Sequence, residues 1–189
     1  MADQRIQSTE EMVGAGHPQK ANTLNRLATA FALENDGTFS DHYIRIIDEK
    51  AANTAGGTFT KGAWRTRDLN KEDSDGGGHA SLSSNQITLA AGTYICKITA
   101  PAHAVSQHKL KLYNTTGATN VLVGTSETTD NADGVTTRSI VSGRFTIAAA
   151  QALEVQHRCA MTAATTGFGN ATNVSEVEVY TVAEFWKVA

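Results

Sequence analysis

The chain has 189 residues, 40% of them hydrophobic and 19% charged, with a formal net charge of −3. That length suits one domain plus an accessory segment, with a core that hides more than about two-thirds of the unfolded surface. The charge is too small to argue for nucleic acid as a partner, and no apolar run approaches the roughly 18 residues of a membrane span, so no membrane insertion is expected. Met1-Ala2-Asp3-Gln4-Arg5 also lacks the basic-then-apolar order of a signal peptide, so synthesis in the cytoplasm is expected.

The charge is unevenly spread. Residues 1–41 carry three cationic side chains (Arg5, Lys20, Arg26) against six anionic ones (Asp3, Glu10, Glu11, Glu34, Asp36, Asp41), and the rest of the chain is balanced. The same region holds the best helical signal. Leu24, Leu27, Ala28 and Phe31 recur at one helical face, Pro18 opens the segment and Asn35-Asp36-Gly37 ends it. A lone helix with so narrow an apolar face is marginal in water and must pack on something. Residues 1–40 are therefore expected to form an anchoring segment, with Leu24, Leu27 and Phe31 as its contact residues.

From Tyr43 onward the period changes to two. Tyr43–Asp48, Trp64–Leu69, Gln86–Leu89, Thr93–Thr99, His108–Asn114, Val121–Val123, Thr137–Ile147, Leu153–Cys159 and Val174–Trp186 read as strands. Ala51–Gly57 and the polar, glycine-rich stretch Lys71–Gly78 read as loops. Short strands at this even spacing, with no helical pattern between them, predict an all-β antiparallel sandwich over residues 41–189 and exclude a βαβ fold. In Trp64–Leu69 the alternation sets Trp64, Thr66 and Asp68 on one face and Arg65, Arg67 and Leu69 on the other. The two arginines suggest a polar outer face, with Trp64 as a core plug; its other reading is a platform for stacking sugars.

Chemistry-bearing residues are sparse. Cys96 and Cys159 lie in strands, without a CxxC or Cys/His spacing, and read as buried thiols; a disulfide stays open if the strands face each other. The six histidines, His17, His42, His79, His103, His108 and His157, have no third ligand at a metal spacing and read as surface or interface residues. Asp73 and Asp75 beside Gly76-Gly77-Gly78, and Asp130 with Asp133, lack the closing Glu of a calcium loop and read as turn residues. No GxSxG elbow and no phosphate-cradling glycine loop is present. These observations predict a protein without catalytic residues, metal or cofactor.

Three stretches carry a resemblance: Gly62-Ala63-Trp64-Arg65-Thr66-Arg67-Asp68-Leu69-Asn70, Ile87-Thr88-Leu89-Ala90-Ala91-Gly92-Thr93-Tyr94, and Gly143-Arg144-Phe145-Thr146-Ile147. They resemble a module of tailed-phage virion proteins, notably tail-fibre and other surface proteins, and Met12–Leu27 resembles segments that precede such modules. The wider likeness is to trimeric jelly rolls similar to the heads of complement C1q and tumour necrosis factor. The resemblance implies a jelly-roll β-sandwich and a homotrimer located in the virion. It further implies attachment to other virion proteins through the N-terminal segment, and contact with a host surface glycan or protein as a tail-fibre or tail-tip module. A capsid decoration protein that stiffens the head is the alternative, and a carbohydrate-active enzyme a remoter one. Tyr94, Tyr180, Phe185 and Trp186, with Trp64, are the candidates for the trimer interface or the core. Phe185 and Trp186 must face opposite sides of their strand, so one fills the core and the other is left for an interface. The polar loops Lys71–His79, Thr115–Asn120, Ser126–Val135 and Thr162–Thr172 are the places for recognition.

Overall fold

Alternating apolar residues demand a partner surface for one face of every strand, and two sheets supply it to each other. A computed structural model describes residues 41–132 and 134–189. Among these residues eleven strands form: β1 Tyr43–Lys50, β2 Arg65–Thr66, β3 Lys71–Asp75, β4 Ala80–Ser83, β5 Gln86–Leu89, β6 Gly92–His103, β7 Gln107–Asn114, β8 Thr119–Thr128, β9 Thr136–Ile147, β10 Gln151–Cys159 and β11 Glu178–Lys187. One sheet has the order β3-β1-β11-β6-β9 and the other β4-β5-β10-β7-β8, with β2 also pairing β10. Every ladder is antiparallel. The described residues thus form the expected all-β jelly-roll sandwich. The helix expected around Leu24, Leu27 and Phe31 lies outside them.

The main core lies between the sheets. Ile44, Ile46, Tyr94, Cys96, Ile98, Val141, Ala183 and Phe185 from the first sheet meet Ile87, Leu89, Leu110, Leu112, Leu153 and Val155 from the second. Each large side chain so buried contributes roughly 1.5–3 kcal/mol. A smaller cluster of Phe59, Ala102, Val105, Cys159 and Phe168 fills one end under the loops. Along the β8–β9 side the sheets are stitched by side chains. Ser139 Oγ donates to the Thr125 carbonyl at 2.7 Å and accepts from the Leu110 amide at 3.0 Å.

Four local expectations are corrected. Lys71–Asp75 is not a loop but an edge strand on β1, whose side chains pair by charge instead of packing: Arg45 with Asp73, and Lys71 Nζ with Glu49 Oε2 at 2.7 Å. A charged edge strand has no apolar pattern to read, and its charges discourage pairing with another molecule. The turn after it is closed by Asp75, whose carboxylate accepts from the His79 and Ala80 amides at 3.0 and 2.8 Å. Ala80–Ser83 is a further strand, joined to β5 by Ser84 and Asn85 at φ 50° and 64°. This is the two-residue turn that suits strand twist, here without the Asn-Gly sequence that usually announces it. The last strand starts at Glu178 and not at Val174, because Asn173 and Ser175 adopt φ 56° and 64°, outside strand geometry. Trp64–Leu69 is extended but pairs only at Arg65–Thr66, and its buried face is the one carrying Arg67 and Leu69.

Tyr180 shows how the end loops are fastened. Its side chain is buried, and its hydroxyl donates to the Thr54 carbonyl at 2.7 Å. Gly169, at φ 149°, lies against its ring: a Cβ there would stand 2.1 Å from Tyr180 Cδ1. Gly169→Ala is therefore expected to lower stability by about 1–3 kcal/mol. Urea unfolding checks it; an unchanged midpoint would contradict this packing.

Candidate functional site

Two groups of side chains concentrate the polar chemistry of the described residues: a buried cluster at one end of the sandwich and an open groove above it.

The buried cluster is built on Arg67. Its extended segment runs along β10, where the Arg67 amide donates to the Val155 carbonyl at 2.8 Å. The side chain enters the core, wholly buried. Nε donates to Thr181 Oγ1 at 2.8 Å, Nη1 to the Pro101 carbonyl at 3.2 Å and Nη2 to the Phe168 carbonyl at 2.8 Å, with the guanidinium 4.1 Å from the Phe168 ring centre. Burial lowers the Arg67 pKa to about 10, against the pull of Asp48 and Asp68. It stays charged at neutral pH. The polar outer face expected for Arg65 and Arg67 is thus half right: Arg65 is exposed, whereas Arg67 is an interior cation.

Beside it lie two of the histidines expected at the surface or an interface. His108 and His157 are both buried. They point inward because they alternate in phase with Leu110 and Leu112 on β7 and with Val155 and Cys159 on β10, and register sets His108 opposite Cys159. His108 Nδ1 is 2.9 Å from His157 Nε2, and His108 Nε2 is 2.7 Å from Thr137 Oγ1. His157 Nδ1 has no hydrogen-bond partner. The assignment that leaves no N–H unpaired has His157 Nε2–H donating to His108, and His108 Nε2–H donating to Thr137. Both rings are then neutral. Burial is the first cause that lowers their pKa values, His108 to about 4 and His157 well below the usual histidine range, with Arg67 adding repulsion. Walled in and neutral, these rings form a packing and hydrogen-bonding device. Their phase with the apolar residues was the readable signal.

The groove lies on the second sheet's outward face, near the β7–β10 strand ends. It encloses about 600 Å³, and its lining includes Lys61, Trp64, Lys109, Glu127 and Arg158. Trp64 is half-buried and outside the core. Lys111, outward on β7, places Nζ 4.4 Å from the ring centres of both Trp64 and Tyr113 and donates to Asn120 Oδ1 at 2.9 Å. Cation–π contacts of this kind contribute about 0.5–2 kcal/mol and fix the indole in place. The neighbouring Glu154 carboxylate accepts from Thr66, Gln86 and Gln156, which hold its pKa below the usual range although burial opposes them.

Of the remaining candidates, Tyr94 and Phe185 are fully buried in the main core. Trp186 is half-buried on the first sheet's outward face, its ring 5.4 Å from Tyr43. Cys96 and Cys159 are free buried thiols in separate clusters. Among the described residues no group of three His, Cys, Asp or Glu side chains is placed to hold a metal ion.

No protein-family model and no curated protein matches the sequence. Solved structures do match in shape. The Eiger TNF of S. frugiperda aligns with a TM-score of 0.50 at 8% identity, over 78% of this chain and 92% of that one. The globular domain of zebrafish complement 1qA protein gives 0.49 at 14% identity, over 79% and 98%, and murine APRIL 0.47 at 8%, over 77% and 98%. At 8% identity the likeness to Eiger TNF extends to the fold alone, a jelly-roll sandwich.

The neutral histidines make stability depend on pH. Their folded pKa values lie below the unfolded value of about 6.5, so the unfolded chain binds protons that the folded chain refuses. Stability is full above about pH 6.5 and falls toward pH 4, by roughly 3 kcal/mol for His108 alone. Urea midpoints between pH 7.5 and 4.5 should show this slope. A double variant lacking both imidazoles should flatten it.

Proposed function

We propose that the chain is a self-associating, non-enzymatic contact module of a tailed-phage virion: a trimer attached through residues 1–40, with its loops and groove turned to the host surface. The virion setting and the host-attachment role rest on the sequence resemblance, and the use of Leu24, Leu27 and Phe31 as contacts on the helical periodicity.

The observation that carries self-association is the outward face of the first sheet. Register places Tyr43, Trp186, Ile95 and Arg144 in one row across four strands, Arg45, Glu184, Lys97 and Ser142 in the next, and Val182, Thr99 and Ile140 in a third. Ile95 is 45% and Ile140 37% exposed, a cost that a covering copy removes. The middle row carries both charge signs and so suits a second copy of itself. Contact also fits the inventory: both thiols and the His108–His157 pair are buried side chains, His108 and Cys159 reaching only the lining of the groove.

Light scattering on the full chain at micromolar concentration is expected to give the mass of three subunits, and Ile95→Glu with Ile140→Glu to give one. A monomeric parent would refute self-association. Counting copies per particle tests the attachment role: a handful is expected, and hundreds would move the protein to head decoration.

A further inference from the structure

We propose that the groove beside Trp64 is a binding site for an acidic saccharide, a sugar chain bearing carboxylates. This rests on the reading of the chain as a surface contact module and names what that module touches.

The first argument is charge placed against itself. Lys109 on β7 and Arg158 on β10 are directly opposite each other in register, on the outward face. Like charges in that relation destabilise a sheet pair. Among the described residues neither makes a salt bridge. Lys61 adds a third cation to the lining, and Glu127 is the one carboxylate on it. A chain with a net charge of −3 therefore concentrates positive charge at one concave place. An anion there relieves the repulsion, and a carboxylate matches the fork of an arginine.

The second argument is the aromatic ring. Trp64 lines the same groove and is kept out of the core, with Lys111 holding it from the sheet. A partly exposed indole fixed in orientation presents a flat apolar surface at low entropic cost, which suits the C–H face of a pyranose. Gln107, Ser126 and Thr128 on the same lining add hydrogen-bond donors and acceptors. The volume of about 600 Å³ lies within the roughly 300–1,000 Å³ of sites that take small ligands. Single-stranded nucleic acid also combines anions with stacking, but it requires successive aromatic platforms along a basic track. Here one indole lines the groove, and Tyr113 is not part of its lining.

The test titrates the full chain with three hexasaccharides, an oligogalacturonate, an oligosialate and neutral maltohexaose, and with inorganic sulfate and a ten-residue oligothymidylate. The readout is the NMR signal of the Trp64 indole N–H. At least one acidic hexasaccharide should shift that signal and saturate, and maltohexaose should bind at least tenfold more weakly. Added salt should weaken the interaction. Trp64→Ala, and separately Lys109→Gln with Arg158→Gln, should each lose tenfold or more in affinity; the charge variant spares the packing and keeps the test valid if Trp64→Ala misfolds. The proposal is overturned if neither acidic sugar binds at millimolar concentration, if maltohexaose binds equally well, or if sulfate or oligothymidylate shifts the signal as strongly. Those outcomes leave the contact-module reading standing, because that reading is judged on subunit mass and copies per particle.

Discussion

Among the described residues Arg67 is the one cation that the fold encloses completely, and its hydrogen bonds run in three directions. Its backbone belongs to the second sheet, through Val155, while its side chain reaches Thr181 and Pro101 of the first sheet and the Phe168 carbonyl of the end loop. Pro101 has no amide to give and lies past the last residue of β6 that pairs with β11, so its carbonyl is free for the guanidinium. A buried charge is tolerated only where such partners are supplied together. The segment from Trp64 to Leu69 must therefore lie along β10 for the sandwich to close at this end. That course sets Arg67 inward and Trp64 outward, so the interior cation and the half-buried outer ring follow from one constraint.

The same constraint organises the histidines. Arg67 repels a proton on either imidazole, and burial works in the same direction. The pair can then share one hydrogen bond as neutral rings, with Phe59 packed 4.7 Å from His157. Polar groups occupy the end of the core where the loops cross, and the apolar cluster of Tyr94, Ile98, Leu110 and Phe185 fills the middle. The division gives the middle of the sandwich non-directional packing and its end a fixed geometry.

Much of the architecture was legible in the sequence because period-two alternation and turn residues are local signals. Gln86–Leu89 matches its strand residue for residue, and β7, β9 and β10 differ from expectation by one or two residues. What escaped is non-local. The strand Lys71–Asp75 is held by charges on β1, and nothing in its own composition announces that partner. Arg67 reads as a surface residue until the carbonyls of Pro101 and Phe168 are brought to it. His108 and His157 are 49 positions apart, and only the β7–β10 register joins them. Trp64 reads as a core plug from its flanking arginines, and the structure corrects this: the ring lies outside the core, against Lys111. The groove cations were legible one by one but not as neighbours, since cross-strand juxtaposition leaves no trace in spacing.

The two thiols bear on where such a fold can persist. Cys96 and Cys159 sit in different clusters, and burial raises their pKa values to about 12 and about 11, so almost no thiolate exists at neutral pH. Neither sulfur is a ready nucleophile, and the sandwich owes none of its cohesion to a sulfur–sulfur bond. Its stability is therefore indifferent to redox potential, and the same packing holds in a strongly reducing medium and in an aerated one.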